Sequence, residues 1–145
     1  MMIEQLDYIF RLGKEDFNDA RDIRMSVFVE EQGFANEFDD IDEYAYHLVI
    51  YHCYQAIATG RMFVKDENTM ILGRIATIKE YRHQGIGSKI VLTLENKART
   101  LGYTKLQLSA QQRAQGFYEK LGYVKVGAPY LDEWCLHVTM VKELR

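Results

Sequence analysis

A chain of 145 residues is long enough to bury a sizeable core and short for two domains. With 48% hydrophobic and 27% charged residues it is too apolar for disorder, and no run nears the roughly 20 apolar residues that span a bilayer. Eighteen basic against 21 acidic side chains leave a net charge of −3, so no overall basic field draws the chain to nucleic acid.

Leu6 to Leu12 alternates apolar and polar positions, as an opening strand does. From Asp16, a candidate cap, Phe17, Ala20, Ile23, Val27 and Phe28 recur at helical spacing. Glu30 to Glu43 holds seven acidic residues in fourteen and reads as an irregular or short-helical segment. Tyr46–Cys53 and Ala56–Val64 are β-branched and aromatic runs across a short turn, which predicts a hairpin. Met70 to Ile78 is apolar on both faces and predicts a central strand. Gly85 to Leu101 carries Ile86, Ile90, Leu94, Ala98 and Leu101 on one stripe, with Gly102 at the stop. Lys105–Ser109 reads as a strand, Ala114–Leu121 as a short helix, and Tyr123–Val126 and Trp134–Val141 as further strands. The order β-α-β-β-β-α-β-α-β-β implies an α/β fold, a mixed sheet of about six to seven strands with helices on both faces. No repeat or Gly/Ser-rich linker interrupts it, so residues 1–145 are expected to form one domain.

Glu4 and Asp7 stand where a secretory signal carries basic and then apolar residues. Cys53 and Cys135 lie far apart with no CxxC pair, and four histidines lack any compact ligand spacing. A reducing cytoplasm, two free thiols and no metal are the expectation.

Chemistry concentrates between the strand ending near Ile78 and the helix beginning near Gly85, in Arg82-His83-Gln84-Gly85-Ile86-Gly87-Ser88. A strand–turn–helix junction with two glycines presents consecutive backbone N–H groups and a positive helix end to an anion. Gly85 and Gly87 keep side chains away from such a ligand, Arg82 adds a charge and Ser88 a hydroxyl. Two phosphate motifs are excluded: no Gly-Lys-Ser/Thr is present, and Ile90 fills the third glycine position of a dinucleotide fingerprint. On spacing alone the pair equally suits a tight helix entry.

Leu72 to Ile90, LGRIATIKEYRHQGIGSKI, resembles the acetyl-CoA signature of the GNAT superfamily of N-acetyltransferases. Ser109 to Tyr123, SAQQRAQGFYEKLGY, resembles that family's next strand and its Tyr-x-x-x-Gly-Phe/Tyr helix. Arg24 to Gln32, RMSVFVEEQ, with the acidic stretch and His47 resembles the ElaA-like subgroup. The resemblance implies a GNAT-like sheet and transfer of an acetyl group from acetyl-CoA to the primary amine of a small molecule or peptide. It implies that Ile75, Ala76 and Thr77 flank the pantetheine arm and that backbone N–H groups from His83, Gln84, Gly85, Ile86, Gly87 and Ser88 hold the pyrophosphate. Gln111 takes the place of the usual Asn beside CoA, and Tyr118 matches the tyrosine near the thioester sulfur, a general acid for the departing thiolate. The family's strand glutamate is replaced by Ile71, which leaves the base open among Glu30, Glu31, His47, His137 and a water chain. The implied partners are acetyl-CoA and an amine acceptor, with no nucleic acid, no membrane and a homodimer as the candidate assembly. The acidic segment is a candidate attractor for a cationic acceptor, or a solvated loop. Alternatives are a non-catalytic acyl-CoA sensing module and an acyl-homoserine-lactone synthase-like acyltransferase.

Overall fold

The computed structural model describes residues 5–145, so Glu4 lies outside it. Strands β1 (Leu6–Leu12), β2 (Tyr46–His52), β3 (Gln55–Val64) and β4 (Thr69–Thr77) pair antiparallel in succession. β4 runs parallel to β5 (Lys105–Gln111), and β7 (Cys135–Glu143) lies antiparallel between β5 and β6 (Val124–Asp132). The result is a seven-stranded mixed sheet in the order β1-β2-β3-β4-β5-β7-β6, with helices α1 (Asn18–Arg24), α2 (Ile86–Thr100) and α3 (Gln115–Lys120). Met70–Ile78 was expected at the centre, and β4 is the fourth strand of seven.

Alternation in β2 sends Leu48 and Ile50 to one core and Val49 to another, as the period of two requires. On the first face α2 buries Ile86, Ile90, Val91, Leu94 and Ala98 completely or nearly so. A side chain at Gly60 of β3 would stand 2.7 Å from Ile90 Cγ2 and 2.9 Å from Leu94 Cδ1, so this bare position lets α2 sit on the sheet. Burying Ile90 and Leu94 contributes about 1.5–3 kcal/mol each. On the other face Ala20, Ile23, Val27 and Phe28 pack with Phe34, Val49 and Ala76. Among the described residues no helix is long and apolar enough to cross a membrane.

Four details differ from the sequence reading. Asp16 does not cap α1: it adopts φ +50°, and Phe17 precedes the first turn without a side-chain cap. Beyond Arg24 the helical spacing continues as a wider π-helical stretch, Met25–Glu31, with Gln32 N–H reaching back to Val27 O at 3.2 Å. β6 runs on to Asp132 because an irregularity in its pairing between Val126 and Tyr130 absorbs Gly127-Ala128-Pro129. Trp134 belongs to the β6–β7 turn, and β7 begins one residue later at Cys135.

Candidate functional site

The β4–β5 ladder holds only from Thr69–Lys105 to Leu72–Leu108, although β4 continues to Thr77 and β5 to Gln111. Parallel strands joined so briefly part into a wedge, and the edge of β4 from Gly73 to Thr77 is left without a β5 partner. Its pairing with β3 also skips between Thr59 and Arg61, where Arg74 takes φ +51°. Two cavities meet in this wedge and share Gln32, Ile75, Arg113, Ala114 and Tyr118.

The larger cavity, about 680 Å³, lies against the glycine loop. Ile75, Ala76, Thr77, Arg82, His83, Gly85, Ile86, Gly87, Ser88 and Tyr118 all line it, whereas Gln84 turns away to the carbonyl of Glu80 at 3.4 Å. Gly85 holds φ +79°, a conformation open to glycine, and aims the next amides outward. Lys89 N–H bonds Gly85 O, so the N–H groups of Ile86, Gly87 and Ser88 precede the first four-residue helical bond of α2. That cradle of unspent donors fits a diphosphate. Arg82, expected to add a fixed charge, lines this cavity and is held in place by two partners. Its Nε donates to Thr77 O at 3.0 Å, and its two outer nitrogens donate to Glu31 at 2.8 and 2.7 Å. Hydrogen bonding from Arg82 holds the Glu31 carboxyl below the ordinary carboxylate range.

The smaller cavity, about 240 Å³, opens on the other side of Tyr118 and is lined by Phe34, Glu37, Arg74, Gln111, Glu133 and His137 among others. Tyr118 is 9% exposed, and its ring meets Phe117 at 5.0 Å and Tyr123 at 5.9 Å. Among the described residues its hydroxyl has no hydrogen-bond partner, and burial raises its pKa, so the phenol stays protonated. His137 is buried, with Nδ1 3.0 Å from the carbonyl oxygen of Cys135. A carbonyl only accepts, so Nδ1 carries a hydrogen at this contact, and in the neutral form of the ring the lone pair is on Nε2. Of the candidate bases, His137 alone lines a cavity; Glu30, Glu31 and His47 line neither. His47 is packed on Phe17 with Nε2 bonded to Asp42 O at 3.0 Å, and desolvation lowers its pKa.

The acidic segment divides: Glu30, Glu31, Asp40 and Glu43 are exposed, as a solvated loop predicts, whereas Glu37, Asp39 and Asp42 are engaged by arginines. Arg24 binds Glu37 at 2.9 Å and Asp42 at 2.7 Å; Arg61 binds Asp39 at 2.7 Å and Asp42 at 3.0 Å; Arg74 binds Glu37 at 3.0 Å. Three arginines thus pair with three carboxylates in a lattice whose core, Arg24, Arg61, Glu37 and Asp42, is buried and whose edge, Arg74 and Asp39, is partly exposed. Burial would raise Asp42, yet Arg24 and Arg61 outweigh it and hold Asp42 low; at Glu37 burial prevails and the carboxyl is pushed up. Sequence reading missed Gln32, Arg74, Arg113 and Glu133 as lining residues; Gln32, Arg74 and Glu133 are held there by pairings with distant parts of the chain, and Arg113 by Gln111 two residues before it. Among the described residues no three His, Cys, Asp or Glu side chains gather as a metal requires.

The chain matches the acetyltransferase (GNAT) domain model over residues 15–144. It is 37% identical over 134 residues to the uncharacterized protein YyaT of Bacillus subtilis, covering 89% of this chain and 90% of YyaT. An acyl-CoA N-acyltransferase from Pseudomonas aeruginosa superposes with a TM-score of 0.86 at 26% identity, covering 95% of this chain and 99% of that one. Escherichia coli ElaA shares the fold with a TM-score of 0.85 at 21% identity, over 96% of this chain and all (100%) of its own. A wedge between parallel strands, a donor-rich turn at its mouth and a full-length family match lead to one conclusion: the chain belongs to the GNAT acetyltransferases.

Proposed function

We propose that the protein moves an acetyl group from acetyl-CoA to the primary amine of a small molecule or peptide by direct attack. The observation that carries this reading is the junction of the two cavities at Tyr118, one beside the amide cradle and one beside His137. The thioester supplies an activated acyl group; the remaining work falls to this chain.

The amides of Ile86, Gly87 and Ser88 receive the diphosphate, and the unpaired edge of β4 receives the pantetheine arm like an added strand. Held so, the carbonyl lies in the wedge, where strand N–H groups from Ile75 to Thr77 are placed to receive the developing negative charge. His137 Nε2, its lone pair free, takes the proton that an ammonium must lose before attack. Tyr118, kept protonated by burial, gives its hydroxyl proton to the departing sulfur as it regains the second proton that the attacking nitrogen sheds on amide formation. Orientation of both reactants in the wedge supplies much of the acceleration. We place the reaction in the cytoplasm, where acyl-CoA is held and both free thiols, Cys53 and Cys135, stay reduced.

Thiol release from acetyl-CoA across a panel of amines, with mass-spectrometric detection of products, tests the reading. Tyr118→Phe is expected to lower kcat by about 100-fold while leaving the acetyl-CoA KM nearly unchanged. Tight CoA binding with no acetylated product would instead support a sensing module.

A further inference from the structure

The smaller cavity is roofed by residues 32–37, an irregular segment tied down at both ends and in the middle. Gln32 accepts from Gln111 Nε2 at 2.8 Å, and the carbonyl of Glu37 accepts from Arg24 at 3.1 Å and Arg74 at 3.0 Å. Between them the amides of Ala35 and Asn36 donate to the two carboxylate oxygens of Glu133 at 2.8 and 3.0 Å. Glu133 lies about a hundred positions along the chain, in the β6–β7 turn, and holds φ +54°. A non-glycine residue is seldom held there unless its surroundings fix it. Beneath the strap Phe34 is buried between the Trp134 ring at 5.4 Å and the His137 ring at 6.3 Å, so the strap also packs on the histidine that faces the reacting centre.

We propose that Glu133 is a specificity-determining residue: it fastens the 32–37 strap over the acceptor chamber and restricts the reaction to small free amines. The proposal rests on the transferase reading and narrows its acceptor. A chamber of about 240 Å³ falls below the roughly 300–1,000 Å³ of ordinary ligand pockets. A lysine-containing peptide needs open space at the chamber's mouth for the main chain that flanks the side chain bearing its amine. Here the strap and the β6–β7 turn are joined across that space, and Glu133 is the join.

Two readouts on the full chain test it. The first compares kcat/KM for ethylamine, for phenethylamine and for a lysine-containing peptide. The wild-type protein is expected to favour the smallest amine, and Glu133→Ala to shift the ratio toward phenethylamine by about tenfold, with the acetyl-CoA KM unmoved. Glu133→Gln, which keeps an acceptor oxygen for one amide, is expected to fall between. The second is hydrogen–deuterium exchange of residues 34–37, which Glu133→Ala should accelerate without changing α2. Wild-type turnover of the peptide as fast as the small amine, or a size ratio unmoved by Glu133→Ala, overturns the proposal. So does unchanged exchange in the strap, which decides the fastening even if no amine is acetylated. Failure of every amine with normal strap loosening would sink the transferase reading instead.

Discussion

The two sides of Tyr118 are built by opposite means. On the cradle side, residues 75–88 form one continuous stretch, and recognition is offered by main-chain groups on a strand edge and a helix start. On the acceptor side, the π-helical stretch, the strap, β4, β5, β7 and the β6–β7 turn all contribute lining residues, joined over 13 to 98 positions of sequence. Backbone recognition depends on where the chain turns and survives most changes of side chain. Side-chain recognition depends on pairs, each of which fails if one member changes. The difference teaches that one half of the site is a feature of the fold and the other a feature of this particular chain.

The sharpest break is Gly87→Asp. Its Cβ would stand 3.3 Å from the Phe117 ring and its charge would sit in the anion cradle, so CoA binding measured by calorimetry should vanish while the fold remains. Retained affinity would remove the cradle from this account.

Asp42→Asn strikes the lattice beneath the strap. Asp42 is fully buried between Arg24 and Arg61, and breaking such a pair costs about 3–5 kcal/mol in urea unfolding. The sign with pH follows from its lowered folded pKa. Asp42 adds stability above the ordinary carboxylate range of the unfolded chain, and that gain is lost as pH falls through the folded value. The gap between wild type and variant should therefore shrink in acid. Glu37, pushed up by burial, contributes the other way: its share falls as pH rises from the ordinary carboxylate range toward its raised value. A gap independent of pH would mean that Asp42 acts through shape alone.

Glu31→Gln is expected to have the smallest effect. It weakens a partly exposed ion pair of about 0–1 kcal/mol and lets Arg82 turn toward the cradle, so CoA should bind up to about fivefold more tightly. Weaker binding would show that Glu31 holds Arg82 in a useful pose.

Sequence patterns exposed the cradle side because they are local. Strand apolarity in Met70–Ile78, the glycine pair and the stripe from Ile86 to Ala98 each act within a few residues of where they are read. The acceptor side was hidden for a matching reason. Among seven acidic residues in fourteen, nothing local sets Glu37, Asp39 and Asp42 apart until Arg24, Arg61 and Arg74 arrive from α1, β3 and β4. Nothing near Glu133 signals that it will meet the amides of residues 35 and 36. The strand expected over Tyr123–Val126 runs on to Asp132 through Gly127-Ala128-Pro129, because an edge strand tolerates the missing proline donor.

The brief β4–β5 ladder has a mechanical consequence. All of β1–β4 precedes α2 in the chain and all of β5–β7 follows it, so two sequence-contiguous slabs meet along one seam of four register pairs. A molecule lodged in that seam touches both slabs and works as mortar. Melting and substrate occupancy are thereby linked, and the ligand-free chain should come apart first along the line of the proposed site.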